Sequence, residues 1–361
     1  MKNTACFLTF DWAFGTDPLE PNGCAWYRCI LPSKELKNHE WETGVGFPGW
    51  NDQHGFGMLI PGDKAIHGWD IIVFKLIMLK NIAEKRQAAQ ELGQKIVVDI
   101  DDWFEGLEKT NLAYTMTDPE KNPENNRDHY LDIIYNADAI ITSTPFLYDF
   151  YKNEKGMKNV FMVRNGIDLP RWKQRRDHSL GLPTVGWVGA TPWRSKDLET
   201  MQPWFAQFLE KNHLKFHHSG NIKNANAAAD QLGIPRSVKT TKEPMKVISQ
   251  YPELFRKVDI GIVPLNNIGF NHAKSTIKGL EYAAAGVPFV ASYSPEYALL
   301  EEKGVGRVAN NPQEWMAHLE ELLDPRVRKQ DVERNLENLK SQTMEARGQD
   351  WSDVLHEIKK L

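Results

Sequence analysis

Short apolar runs with no polar alternation dominate the constraints on this chain. In its first half they lie at residues 6–10, 71–79, 95–101, 137–143 and 159–166. A strand that carries apolar side chains on both faces must be covered on both, which is the situation of a parallel sheet packed between helices. Helix-like segments at 81–92 and 126–136 separate these runs, and strand–helix alternation of this kind predicts a doubly wound α/β domain. The pattern then restarts. Runs at 184–189, 214–220, 258–265, 287–292 and 305–309 alternate with helical stretches that include 197–210 and 275–285. From Gln313 onward the chain reads as helix, with Trp315, Leu319 and Leu322 at helical spacing.

Two Rossmann-like halves in series therefore account for the 361 residues. Between them lies a polar, basic stretch, 168–179, containing Arg171, Lys173, Arg175 and Arg176 and followed by Gly181-Leu182-Pro183. It reads as an interdomain linker or as a long surface loop within one domain. Division there gives an N-terminal domain over 1–175, a C-terminal domain over 176–340 and a last helix over 341–361. Residues 41–70, rich in Gly, Pro and Trp, read as irregular chain near the interdomain cleft. With 44 basic and 48 acidic residues the formal charge is −4, which disfavours a generic polyanion binder but leaves room for a local basic groove. Three cysteines, Cys6, Cys24 and Cys29, make no disulfide framework and fit a reducing compartment. No apolar run is long enough to span a bilayer, and the N-terminal run is too short for a signal peptide, so the expectation is a cytoplasmic protein without stable membrane insertion.

The most informative segment is 270–292, read as loop, helix, Gly286-Val287-Pro288 turn and buried strand. Ser275 or Thr276 is placed to cap the helix. On the helix, Lys274, Lys278 and Glu281 fall at i, i+4 and i+7 on one stripe, while Ile277, Leu280 and Ala284 form a second, core-facing stripe. Free N–H groups at a helix N-terminus beside two lysines make an anion site suited to phosphates. Glu281 lies about 10 Å further along the axis, roughly the span from a pyrophosphate to a nucleotide ribose. A surface helix with i,i+4 charge pairs has the same spacing.

This segment resembles the nucleotide-sugar site of GT-B glycosyltransferases, in particular the retaining family 4 group in its bacterial and phage forms. Lys274, Ser275, Thr276, Glu281 and Gly286-Val287-Pro288 match that pattern. The first Glu of the family motif is replaced by Ala273, so the usual donor-sugar hydroxyl contact is missing. Residues 185–201 resemble the first strand of the family's C-terminal domain, where Gly189 and Ala190 would let backbone approach the diphosphate and Arg194 or Lys196 would neutralise it. Gly220 fits a strand end facing the nucleotide. His217 and His218, adjacent on that strand, point to opposite sides and do not suit a metal pair. Asn165 and Asp168 match an interdomain hinge signature. Residues 21–32 resemble the glycine-rich loop that closes over the donor phosphate, with Gly23 the close-approach position and Arg28 either a phosphate or acceptor contact or a salt bridge to the sheet. At the end of the 95–101 run, Asp101 and Asp102 occupy the place of an active-site residue near the donor sugar. They suit acceptor-hydroxyl binding, a metal clamp or, for Asp102, a helix cap.

The resemblance implies a GT-B architecture, two Rossmann-like domains facing a central cleft, with the last helix packing back on the first domain. It implies transfer of a sugar from a nucleoside-diphosphate sugar to an acceptor hydroxyl, with retention and without a metal or other cofactor. Asp101, Asp102 and Lys274 would be catalytic, and Gly23, Arg28, Gly189, Arg194, Lys196, Gly220, Ser275, Thr276, Lys278 and Glu281 would bind substrate. The acceptor would be a glycan, a lipid-linked sugar or a hydroxymethylated DNA base. A non-catalytic nucleotide-sugar or glycan-binding protein of the same fold is the alternative from another class.

Overall fold

A computed structural model describes residues 3–16, 18–60, 64–118, 120, 122, 124–172, 181–194, 196–221 and 227–361. Lys173, Arg175 and Arg176 of the basic stretch, and the 175/176 division with them, lie outside the described residues.

The N-terminal sheet is built from β1 (Asn3–Thr9), β2 (Trp41–Asn51), β3 (Gly55–Leu59), β4 (Ile71–Lys75), β5 (Lys95–Ile100), β6 (Ala139–Thr142) and β7 (Val160–Met162). Its seven strands run in the order β3-β2-β1-β4-β5-β6-β7, and every pairing is parallel except β2 with β3. The C-terminal sheet comprises β8 (Thr184–Val188), β9 (Lys215–Asn221), β10 (Thr240–Pro244), β11 (Ile260–Val263), β12 (Phe289–Ser292) and β13 (Arg307–Ala309), in the order β10-β9-β8-β11-β12-β13. Each apolar run of the sequence supplies one of these strands. The run at 71–79 stops early, because Leu76 turns into the left-handed region at φ 54°.

Of residues 41–70, the span 41–59 is not irregular. It forms the β2–β3 hairpin on the sheet edge, paired from Phe47↔Leu59 to Asn51↔Gly55. Glycine permits this tight approach: a Cβ on Gly46 would lie 2.5 Å from Met58 Cγ, and one on Gly57 would lie 2.4 Å from the Ile66 carbonyl oxygen.

Because both sheets are parallel apart from the β2–β3 edge, each collects loops at the carboxyl ends of its parallel strands, where ligands bind in open α/β folds. These two ends meet at a seam. Thr144, just past β6, donates to the carbonyl of Ala273 at 3.0 Å, and Leu112 N–H donates to the Pro192 carbonyl at 3.1 Å.

On the far side of the seam the last helix, Met344–Lys360, returns to the first domain. Thr343 caps it by accepting from Ala346 N–H at 3.2 Å. Trp351 is fully buried, edge-on to Phe7 at 5.8 Å. Trp41 donates its indole N–H to Ser352 at 3.1 Å, and Lys359 pairs with Asp70 at 2.7 Å. Trp351→Ala should therefore cost about 3–5 kcal/mol, the range for deleting a large buried aromatic. Urea denaturation measures it, and a loss under about 1 kcal/mol would mean that the helix is not integral to the core.

Candidate functional site

β4 and β5 are in a register that sets Lys75 beside Asp99. Both side chains are fully buried, 3.2 Å apart. Arg28, also fully buried, closes on the same carboxylate through Nε at 3.0 Å and Nη2 at 2.6 Å. Its Nη1 donates to the Val163 carbonyl at 2.8 Å and to Asn165 Oδ1 at 3.1 Å, and the guanidinium lies 4.9 Å from the Trp351 ring centroid. Arg28 thus has no face left for a phosphate or an acceptor. Of its two expected roles, the salt bridge to the sheet is the one observed, since an isolated buried carboxylate at position 99 would be costly.

Asp101 and Asp102 follow the last residue of β5. Asp101 is ion-paired with Lys75. Burial works against its charge, but the Lys75 ammonium overrides burial and holds the carboxyl below the ordinary carboxylate range. Asp102 goes the other way: burial, then the neighbouring Asp101 charge, pushes it up to about 6. It does not cap the short helical turn Phe104–Gly106, whose N-cap is Trp103. Lys274 and Arg194, from the other domain, act on Asp102 electrostatically. Gly23 opens the helical turn Gly23–Ala25, and a Cβ there would meet nothing within 4 Å.

Across the seam the helix runs Ile277–Ala284. It starts later than the sequence pattern implies, so Lys274 stands before it, in the preceding turn, rather than on one stripe with Lys278 and Glu281. Thr276 is the N-cap residue, yet its side chain makes no capping bond. Ser275 does not cap either; its Oγ accepts from Asn165 Nδ2 at 2.8 Å. Gly279 N–H donates to the Tyr297 hydroxyl at 3.2 Å, which leaves the N–H groups of Ile277 and Lys278 their capacity for a ligand. Gly286, at φ 73°, takes the left-handed conformation that ends the helix.

Lys274 lies 3.4 Å from Asp197 and 5.0 Å from the Phe270 ring centroid. Burial lowers its pKa, Asp197 opposes this, and the nearby Arg194 charge lowers it further. Arg194 is half-buried, and its Nε is shielded from water with no hydrogen-bond partner among the described residues. Lys196 sits on an exposed left-handed turn, φ 59°. Gly189 and Gly220 leave bare backbone at the ends of β8 and β9. A Cβ on Gly189 would lie 2.9 Å from the Trp187 ring, and Gly220, at φ 100°, would place one 2.8 Å from the Gly189 carbonyl oxygen.

Glu281 is only 4% exposed. Tyr27, from the first domain, donates to its Oε1 at 2.9 Å. Tyr251 and Lys278 donate to Oε2 at 3.1 and 2.7 Å. Neither tyrosine was visible as a site residue in the sequence, nor was Lys75; each carries an ordinary core pattern, and only pairing across the fold reveals them. Ala273 is fully buried among residues of the first domain's core. A glutamate there would meet that core. His217 bonds Thr241 Oγ1 at 2.9 Å and His218 stacks on Phe216, so the two serve the sheet. Among the described residues no group of three His, Cys, Asp or Glu side chains is placed to hold a metal ion.

Residues 182–325 match the family model described as glycosyl transferases group 1. A Bacillus subtilis (strain 168) protein, TuaH, named as a teichuronic acid biosynthesis glycosyltransferase, is 26% identical over 246 residues; the match covers 64% of this chain and 58% of that protein's length. Among solved structures, sucrose-phosphate synthase from Thermosynechococcus elongatus superposes with a TM-score of 0.67 at 12% identity, over 99% of each chain. Anabaena HepE in complex with UDP-glucose gives 0.62 at 13% identity, over 98% of this chain and 99% of its own. The fold is the GT-B arrangement of two facing Rossmann-like domains.

Arg28→Met should act on stability rather than on ligands. Removing one partner of a buried pair costs about 3–5 kcal/mol. Melting and nucleotide affinity measured on the same preparation separate the two effects: a stable variant with weakened nucleotide binding would return Arg28 to the ligand site.

Proposed function

We propose that this protein transfers a sugar from a nucleoside diphosphate to an acceptor hydroxyl, with retention at the anomeric carbon. The observation that carries the reading is the cationic corner made by Lys274, Arg194 and the uncapped start of helix Ile277–Ala284, facing Asp101 and Asp102 across the seam. The match of the C-terminal domain to a glycosyltransferase family model supports it.

The diphosphate would sit on the helix start, beside the backbone of Gly189 and Gly220. As the bond from the anomeric carbon to the diphosphate oxygen breaks, negative charge grows on that oxygen. Lys274 and Arg194 would stabilise this charge, the electrostatic contribution that dominates many such reactions. Side chains supply the positive charge, so no metal or other cofactor is needed. Glu281 would bind the ribose diol. Tyr27 and Tyr251 stand where two vicinal hydroxyls would donate, so the donor must displace them. Asp101, held ionised, would orient the acceptor hydroxyl or face the positive charge developing on the sugar, and Asp102 would accept a hydrogen bond from the same acceptor. HepE was solved with UDP-glucose, which makes UDP-sugars the first donors to test. The acceptor class is a glycan or a lipid-linked sugar, met in the cytoplasm.

Lys274→Ala should lower kcat by about 10²–10³, more than it raises the KM for the nucleotide sugar, because charge on the diphosphate is greater in the transition state and in the released product than in the donor. A rise in KM at constant kcat would make Lys274 a ground-state contact only. Transfer should survive exhaustive chelation by EDTA; loss on chelation with recovery on Mg²⁺ or Mn²⁺ would overturn the cationic mechanism.

The pH dependence follows from Asp102. Its raised value means that it loses its charge as pH falls through about 6, so kcat should decline on that limb. Asp102→Asn should be less active and lack that limb. A limb near pH 6 that persists in the Asn variant would assign it to another group.

A further inference from the structure

We propose that Lys75 is a positioning residue for Asp101, and that a buried polar chain running Asp101–Lys75–Asp99–Arg28–Asn165–Ser275 ties that carboxylate to the second domain across the seam. The proposal rests on the functional reading above, because it assigns Asp101 its geometry within the same site.

Every link of the chain is a direct contact. Lys75 bridges Asp101 and Asp99, 3.2 Å from Asp99 Oδ1 and 3.4 Å from its carbonyl oxygen. Arg28 holds the other side of the Asp99 carboxylate at 2.6 Å. Asn165, 8% exposed, accepts from Arg28 at 3.1 Å and donates to Ser275 Oγ at 2.8 Å. Ser275 belongs to the second domain, one residue before the N-cap of helix Ile277–Ala284. The chain therefore starts at the candidate acceptor carboxylate and ends beside the candidate phosphate site.

Charge balance distinguishes this array from a purely structural pair. Arg28 already neutralises Asp99 with a bidentate contact, and that alone would satisfy a buried carboxylate. Lys75 adds a second buried cation, which requires a second anion. That anion is Asp101, whose side chain is 14% exposed while those of the other three are fully buried. Lys75 thus both fixes the Asp101 carboxylate and keeps it charged.

The groups facing Asp101 come from every element around it. They are Lys75 on β4, Arg28 and Cys24 on the N-terminal helical segment, Asp11 after β1, Asp99 and Asp102 on its own strand and loop, and Tyr130 on helix Asn126–Tyr135. Asp11 and Asp102 disfavour its charge. Lys75 is the strongest group favouring it.

The test uses the full chain labelled with [γ-¹³C]aspartate, comparing the parent with Lys75→Met, Lys75→Arg and Asn165→Ala. In Lys75→Met the ¹³C titration midpoint of Asp101 should rise by at least about one pH unit, a tenfold change in proton affinity. UDP affinity should stay within threefold, and kcat should fall by about 10–100-fold. Lys75→Arg retains the charge, so its midpoint should stay while kcat falls, because the longer head displaces the carboxylate. In the parent, UDP should shift the Asp101 resonance; in Asn165→Ala the shift should shrink by at least half at unchanged UDP affinity. An unmoved midpoint in Lys75→Met, an unchanged kcat in Lys75→Arg, or an equal UDP-induced shift in Asn165→Ala overturns the proposal. The titration needs neither nucleotide nor turnover. A parent that transfers no sugar therefore contradicts the functional reading, while the midpoint still decides the role of Lys75.

Discussion

Asp99 is a carboxylate with no access to water, and much of the first domain is arranged around it. Its two cations come from opposite neighbours: Lys75 from the adjacent strand by register, and Arg28 from the helical segment that follows the first strand. Arg28 continues to the Val163 carbonyl beyond β7 and to the Trp351 ring of the last helix. One buried charge thus fastens the centre of the sheet, its N-terminal cover and the returning C-terminal helix. Such arrays add little net stability compared with apolar packing, but breaking them is costly. What this one does determine is position. The strand that carries Asp99 delivers Asp101 and Asp102 to the seam two and three residues later.

At the seam each domain contributes charges of both signs. The first brings Asp101 beside Lys75, with Asp102 next to it, and the second brings Lys274 beside Asp197, Lys278 beside Glu281, and Arg194. The arrangement matters for the proposed transfer with retention, in which the acceptor hydroxyl approaches the anomeric carbon on the face that the diphosphate leaves and passes its proton to the departing oxygen. In the arrangement described, the ribose-binding candidate Glu281 is satisfied by Tyr27 and Tyr251. With Lys278 donating as well, the buried carboxylate is not left bare.

The strands were legible in the sequence because buried parallel strands write themselves as unbroken apolar runs. The β2–β3 hairpin was not legible: its glycines and prolines resemble turn residues, and their purpose, close contact with Met58, Leu59 and Ile66, exists only once the edge is folded. β10 was missed because Thr240–Pro244 is a polar edge strand with no buried position. In the site, residues 274–288 could be recognised as a local motif, since a lysine, a helix start and a glutamate lie close together in the chain. The boundary error at Lys274 arose because helical spacing says nothing about where the first turn begins. Arg28 was ambiguous for a different reason. Its partners Asp99, Val163 and Asn165 are distant in sequence, and a local motif cannot distinguish an arginine facing a phosphate from one facing a carboxylate in the sheet.

The central claim is that a nucleoside diphosphate docks on the corner formed by Lys274, Arg194 and helix Ile277–Ala284. Isothermal titration of UDP and other nucleoside diphosphates, against the parent nucleosides and against Lys274→Ala, tests it most directly. Charge-assisted hydrogen bonds contribute about 1.5–3 kcal/mol each. At least one diphosphate should therefore bind tenfold or more tightly than its nucleoside, and Lys274→Ala should remove most of that difference. If no nucleoside diphosphate binds, or if one binds equally well to the parent and to Lys274→Ala, the site is not where the account places it.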